Sequence, residues 1–140
     1  YNMATRSLIG MELEDGTVEA IYCHYDGYLN HNGRILINSY TTAEKVSELI
    51  SLGGISSLGH NLYPTNGNAD DVTVAYARDK GEQLDVIRCS NTEDYFYHYP
   101  IGGSIEYIYL FNKDGEWEYM DALDEGQVLP IPDELIETPA

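Results

Sequence analysis

Two Asp-Gly dipeptides, Asp15-Gly16 and Asp114-Gly115, each stand between runs in which apolar and polar residues alternate. Alternation puts successive side chains on opposite faces of a strand, and Asp-Gly accepts the positive φ values that tight hairpin turns use. Residues 6–13 with 18–24, and 105–111 with 116–120, are therefore predicted to form β-hairpins. A further hairpin is predicted from the β-branched and aromatic runs 72–77 and 84–88, with Asp79-Lys80-Gly81-Glu82 turning between them.

Between these hairpins the periodicity changes. Val46, Leu49 and Ile50 recur at helical spacing with Ser47, Glu48 and Ser51 on the other faces, and Gly53-Gly54 follows as a stop. Thr41 and Glu44 match a capping box, which predicts a helix over residues 42–52 with Thr41 as its N-cap. A shorter helix is predicted over 34–39. Ser90-Asn91-Thr92-Glu93 offers another start signal, for a short helix through Tyr95-Phe96-Tyr97 that ends near Pro100. Residues 27–33 and 59–71 read as loops. The sum is an α+β fold: a mainly antiparallel sheet of about six strands in three hairpins, with one or two helices on one face. The length of 140 residues suits one domain, placed at 1–120, followed by an acidic, Pro-containing tail at 121–140 expected to be extended or loosely attached.

Charge separates the function classes. The chain carries 24 Asp and Glu against 7 Lys and Arg, a net −17, which opposes direct binding to nucleic-acid phosphates. No apolar run approaches the roughly 20 residues of a spanning helix, so no membrane role is expected. The N-terminus shows no basic-then-apolar leader, and Met3 reads as an initiator behind two added residues. Cys23 and Cys89 belong to no CxxC pair and are expected to be reduced, mostly buried thiols, which suits a cytoplasmic location.

Chemistry-bearing motifs are sparse. Tyr22-Cys23-His24-Tyr25-Asp26-Gly27-Tyr28 holds a thiol, an imidazole and a carboxylate, but Cys23 and His24 point to opposite faces of a strand, so a Cys nucleophile would need His31, His60 or His98. No HxxxH, HExxH or phosphate-cradling glycine pattern appears, and Asn66-Gly67-Asn68-Ala69-Asp70-Asp71 has calcium-loop character without the EF-hand register. The expectation is a protein without catalytic residues, metal or cofactor. Binding residues are expected among the 13 tyrosines, at Tyr25 and Tyr28 with Asp26 between them, and at Tyr97 and Tyr99. After Lys113 nine acids follow with no base. Glu116 and Glu118 share a strand face and Asp114 continues the line, a repeat of about 6.5–7 Å that approaches phosphate spacing. Asp114, Glu116, Glu118, Asp121, Asp124 and Glu125 are thus the expected acidic contact set.

The stretches Ala4-Thr5-Arg6-Ser7, Ile21-Tyr22-Cys23-His24-Tyr25-Asp26-Gly27-Tyr28, Leu49-Ile50-Ser51-Leu52-Gly53 with Ile55-Ser56-Ser57-Leu58-Gly59, and Ala75-Tyr76-Ala77-Arg78-Asp79 resemble a family of small uncharacterised proteins encoded by bacteriophages and prophages. The likeness runs from Ala4 to Met120, and departs from the family pattern at Tyr25, Leu29 and Gly54, where Trp, Pro and Asp are expected. It implies an accessory protein acting in bacterial cytoplasm. With the charge, this leads to the expectation of a non-enzymatic inhibitor, monomeric or homodimeric, that binds a basic surface of a host defence or nucleic-acid-handling protein, by nucleic-acid mimicry in one form. The alternatives are a small-molecule binder or sponge built on Tyr25 and the 59–71 loop, and a Cys or His enzyme.

Overall fold

The computed structural model describes residues 5–63, 71–98, 105–122 and 127–136. Strands β1 (Ser7–Glu12) and β2 (Val18–Cys23) form the first predicted hairpin in the register Ile9 opposite Ile21, and β6 (Tyr107–Phe111) and β7 (Trp117–Asp121) form the last, with Tyr109 opposite Tyr119. Both use one turn. The Leu13 and Asn112 N–H groups donate to the carbonyls of Thr17 and Glu116, and Gly16 and Gly115 donate back to Leu13 and Asn112. Only the glycines take positive φ, 90° and 79°, so these are type I turns followed by a left-handed glycine rather than two-residue turns.

The described strands make one eight-stranded sheet in the order β4-β3-β2-β1-β6-β7-β8, with β3 at Ile55–Ser57, β4 at Val74–Ala75, β8 at Val128–Pro130, and β5 (Ile87–Cys89) pairing with β2 beside Val18, Glu19 and Ala20. Pairing is mostly antiparallel, but β1–β6 and β2–β3 are parallel, so the sheet is mixed. The fold is α+β as expected.

The middle hairpin does not form. After β4 the chain turns into helix α3 (Tyr76–Lys80): Asp79 reaches back to accept a hydrogen bond from the Ala75 N–H (2.8 Å), and Gly81 ends the helix at φ 69°. β4 pairs with β3 and β5 with β2, each more distant in sequence than the partner predicted.

Helices α1 (Arg34–Ser39) and α2 (Ala43–Ser51) cover one face of the sheet, where Leu36, Val46, Leu49 and Ile50 pack on Ile9, Ile21 and Tyr109. The cap of α2 is one residue later than predicted: Thr42 Oγ1, not Thr41, accepts from the Lys45 N–H (3.2 Å). The other face is covered too, by a π-helical turn (Asp94–His98) that lays Tyr95 and Phe96 on Leu8, Val18, Ala20, Ile108 and Leu110. The Asn91 side chain accepts from the Asp94 N–H at its start (2.8 Å); Pro100 lies outside the described residues. Cover on both faces explains why Ser7 to Gly10 are all buried, and why position 10 is glycine: a Cβ there would stand 2.7 Å from the Tyr95 ring. The Tyr95 hydroxyl passes over it to donate to the Tyr109 carbonyl (2.6 Å).

Of the two expectations for the tail, extended or loosely attached, residues 128–130 are extended and are held to the sheet. β8 extends the sheet beyond β7, Ile131 is buried, and Asn38 Nδ2 donates to the Leu135 carbonyl (2.8 Å), so the domain continues past residue 120. Ile131 N–H donates to the Trp117 carbonyl. By strand alternation Pro130 faces away from β7, and its missing N–H blunts the outer edge against further pairing. No helix among the described residues is long and apolar enough to cross a membrane.

Candidate functional site

The 24–33 loop leaves the end of β2 and presents Tyr25 and Tyr28, 44% and 41% exposed, on a backbone held from beneath. Tyr25 N–H donates to the Ser56 carbonyl, and Asp26 takes a left-handed φ of 58° that its short polar side chain tolerates. Gly27 then runs against β1: its N–H donates to the Thr5 carbonyl (2.8 Å), its own carbonyl accepts from the buried Tyr109 hydroxyl (2.6 Å), and a Cβ would collide with Ser7 and the Thr5 carbonyl at 2.7 Å. Another π-helical turn (Leu29–Gly33) follows where a loop was expected.

Beneath that turn, Asn32 is wholly buried and bridges three segments. Its Nδ2 donates to Ser7 Oγ and to Cys23 Sγ, both 3.3 Å away, and its Oδ1 meets His31 Nδ1 at 2.9 Å. With the amide oriented this way Oδ1 can only accept, so His31 carries a proton on Nδ1. Burial pushes the Cys23 thiol up to about 11, against the smaller lowering effect of the Asn32 bond, and the thiol donates to the Tyr25 carbonyl. The arrangement gives Cys23 a neutral, enclosed sulfur that holds the loop. His31 reaches it only through Asn32, while His60 is bonded to Ser39 and His98 to Asp94.

The acidic residues divide between places that sequence spacing does not separate. β1 and β6 run parallel, so the turns after them emerge at the same end of the sheet, and Lys113 joins them: its N–H donates to Glu12 Oε1 (3.1 Å) and its ammonium lies 3.9 Å from Glu12 Oε2. Asp114 and Glu116 are exposed there beside Glu12, Glu14 and Asp15. Glu116 and Glu118, two residues apart, line one cleft, and Asp121 of the same expected contact set falls outside their line. Glu118 shares the face of Met120, in a cleft of about 410 Å³ with Phe96 and the exposed Tyr97, whereas Asp121 lies on the opposite face across from Tyr107. Tyr99, Asp124 and Glu125 are outside the described residues. Tyr25, Asp26 and Tyr28 stand at the opposite end of β1 and β2 from Asp114 and Glu116, a strand length of roughly 17–20 Å away.

The 59–71 loop is anchored at both ends. Tyr40 donates its hydroxyl to the Gly59 carbonyl, Lys45 its ammonium to the His60 carbonyl, and Arg78 its guanidinium to the carbonyls of Leu62 and Thr73. Asn66 to Asp70, most of the calcium-like run, lie outside the described residues. Among the described residues no three His, Cys, Asp or Glu are grouped to hold a metal ion. Sequence reasoning missed Asn32, which reads as an ordinary loop asparagine, and the contribution of Glu12 and Glu14, which depends on parallel pairing between strands a hundred residues apart.

The fold and these surfaces define an α+β domain of a mixed sheet covered on both faces, with an aromatic loop at one end and carboxylates at the other. No family model, curated protein or solved structure matches the chain.

Proposed function

We propose that this is a non-enzymatic binding protein, encoded by a phage or prophage and acting in the bacterial cytoplasm, that inhibits a host defence or nucleic-acid-handling protein by docking on its basic surface. The observation that carries the reading is the meeting of the β1–β2 and β6–β7 turns at one end, which brings Glu12 and Asp15 to Lys113 and places Glu14, Asp114 and Glu116 on the same pair of turns. Carboxylates concentrated on one end of a chain of net −17 steer it toward a cationic surface and repel phosphate. The resemblance to phage and prophage proteins supplies the biological setting. Tyr25 and Tyr28, on a loop fixed by Gly27 and Asn32, supply a second contact area at low ordering cost. The enzyme reading draws less support, because Cys23 is enclosed and neutral.

The test is capture of a host protein with the tagged chain, followed by its association rate at rising salt for the wild type and for Asp114→Lys with Glu116→Lys. Both positions are exposed, so the fold should survive. The expected result is association that slows with salt and with charge reversal; association indifferent to both overturns the reading.

A further inference from the structure

Two clefts, of about 270 and 530 Å³, adjoin at the hairpin-turn end and share Thr41, Phe111, Asn112 and Gly115 in their linings. Their floor is apolar. Met11 lies in one, Ile37, Trp117 and Ile131 in the other, and Phe111 in both. The floor is also preformed: Phe111 and Trp117 pack with ring centroids 5.2 Å apart, and Trp117 Nε1 donates to the Tyr40 carbonyl (2.8 Å), which fixes the indole. Around it the linings carry Glu12 and Glu14 on one side and Glu116, Glu118 and Asp133 on the other. Among the described residues Lys113 is the only base in either lining, and its ammonium lies beside Glu12.

These two properties select an occupant together. An apolar floor rewards a hydrocarbon or aromatic side chain, and a carboxylate rim rewards cations and penalises anions. A phosphate chain meets the wrong charge. A second copy of this chain, at net −17, brings like charge to the same rim.

We propose that this groove takes a short cationic segment of a partner protein, with one apolar side chain seated on the Phe111–Trp117 floor and flanking lysines or arginines against Glu14, Glu116 and Asp133. The proposal rests on the reading of the acidic end as a docking surface and names the chemistry that end recognises. An anchor in the groove gives such a surface a specificity that charge attraction alone lacks.

Trp117 is the single tryptophan of the chain, so tryptophan-free probes report on the floor directly. The probes are two short dye-labelled peptides of equal charge, one of lysines around leucines and the other with glycine in place of each leucine. Affinity is read from the anisotropy of the dye and occupancy of the floor from Trp117 emission. The leucine peptide should bind about 10–100-fold more tightly, as expected for burying one such side chain, and it alone should shift the emission. Thr41 is exposed and lines both clefts, so Thr41→Phe fills the groove without touching its charge; it should abolish the leucine preference and leave the glycine peptide unaffected. Glu116→Gln, also at an exposed position, should weaken both peptides alike. Equal binding of the two peptides, or a leucine preference that survives Thr41→Phe, overturns the groove and leaves the acidic docking surface standing. No binding of either peptide at low salt overturns both.

Discussion

Asn32 Nδ2 lies 3.3 Å from Cys23 Sγ, inside the domain, and the pair ties the π-helical turn Leu29–Gly33 to the end of β2. The amide and the thiol belong to one buried network, in which Asn32 Nδ2 also donates to Ser7 Oγ and the thiol donates to the Tyr25 carbonyl, so removing the amide opens a gap beside the sulfur. Cys23 should therefore resist alkylation at neutral pH in the folded protein, while the partly exposed Cys89 reacts first. Asn32→Ala should cost about 1–3 kcal/mol and bring Cys23 into reach of the reagent. Mass-spectrometric mapping of the labelled thiol decides it. Cys23 labelling as fast as Cys89 in the wild type would contradict the enclosed network.

Burial raises several acids at once, and the sign of their effect on stability follows. The Cys23 thiol is pushed up from 9.0 to about 11 and the Tyr40 hydroxyl from 10.0 to about 12, and the same desolvation raises Tyr95 and Tyr109 as well. The unfolded chain gives up these protons at lower pH than the folded one. Their contribution is thus complete below the ordinary values and is lost as pH rises through the folded ones, by at most about 1.4 kcal/mol per pH unit for each group. Urea midpoints should fall steadily as pH rises from 9.0 toward 11, the window that Cys23 sets. Tyrosinate absorbance should show an early exposed population and a late one that appears only with unfolding. A constant midpoint and a single tyrosinate step would contradict the buried placement of these hydroxyls.

Helix α2 offers a comparison at adjacent positions. Thr42 Oγ1 caps the helix and Thr41 does not, although both are threonines just before the same apolar face. Thr42→Ala should cost about 0.5–2 kcal/mol and Thr41→Ala close to nothing in the same denaturation experiment. Equal losses, or a larger loss at Thr41, would restore the cap to where residue spacing put it.

What could be read in the sequence was local. The Asp15-Gly16 and Asp114-Gly115 turns carry their hairpins because the partner strands lie within a few residues, and Val46, Leu49 and Ile50 announce the buried face of α2 because a helix repeats on a short period. The parallel pairing of β1 with β6 leaves no such mark: Ile9 meets Tyr109 across the intervening chain, and many apolar runs would satisfy the same alternation. β5 failed as a hairpin partner for the same reason, its short run around Ile87 fitting β2 as well as the neighbour in sequence. The candidate site was partly legible. Tyr25 and Tyr28 are exposed as expected, and Glu116 and Glu118, two steps apart, line one cleft, while Asp121, three steps beyond Glu118, falls on the other face of the strand.

That reversal, with the strand length between the aromatic loop and the acidic end, leads to a prediction about how the surfaces act together. Tyr25 and Tyr28 stand roughly 17–20 Å from Asp114 and Glu116 along β1 and β2, about twice the screening length of roughly 10 Å at 0.1 M salt. The chain between the two ends is the β1–β2 hairpin. Against a captured partner, Tyr25→Ala and Glu116→Lys should then add, with a coupling in the double variant below about 0.5 kcal/mol. Their salt responses should differ as well. Binding lost through Glu116→Lys belongs to the long-range field and should shrink as salt rises, while the loss from Tyr25→Ala, an aromatic contact, should persist. A coupling well above 0.5 kcal/mol, or a tyrosine effect that fades with salt in step with the charge effect, would mean that the partner engages both ends as one cooperative surface.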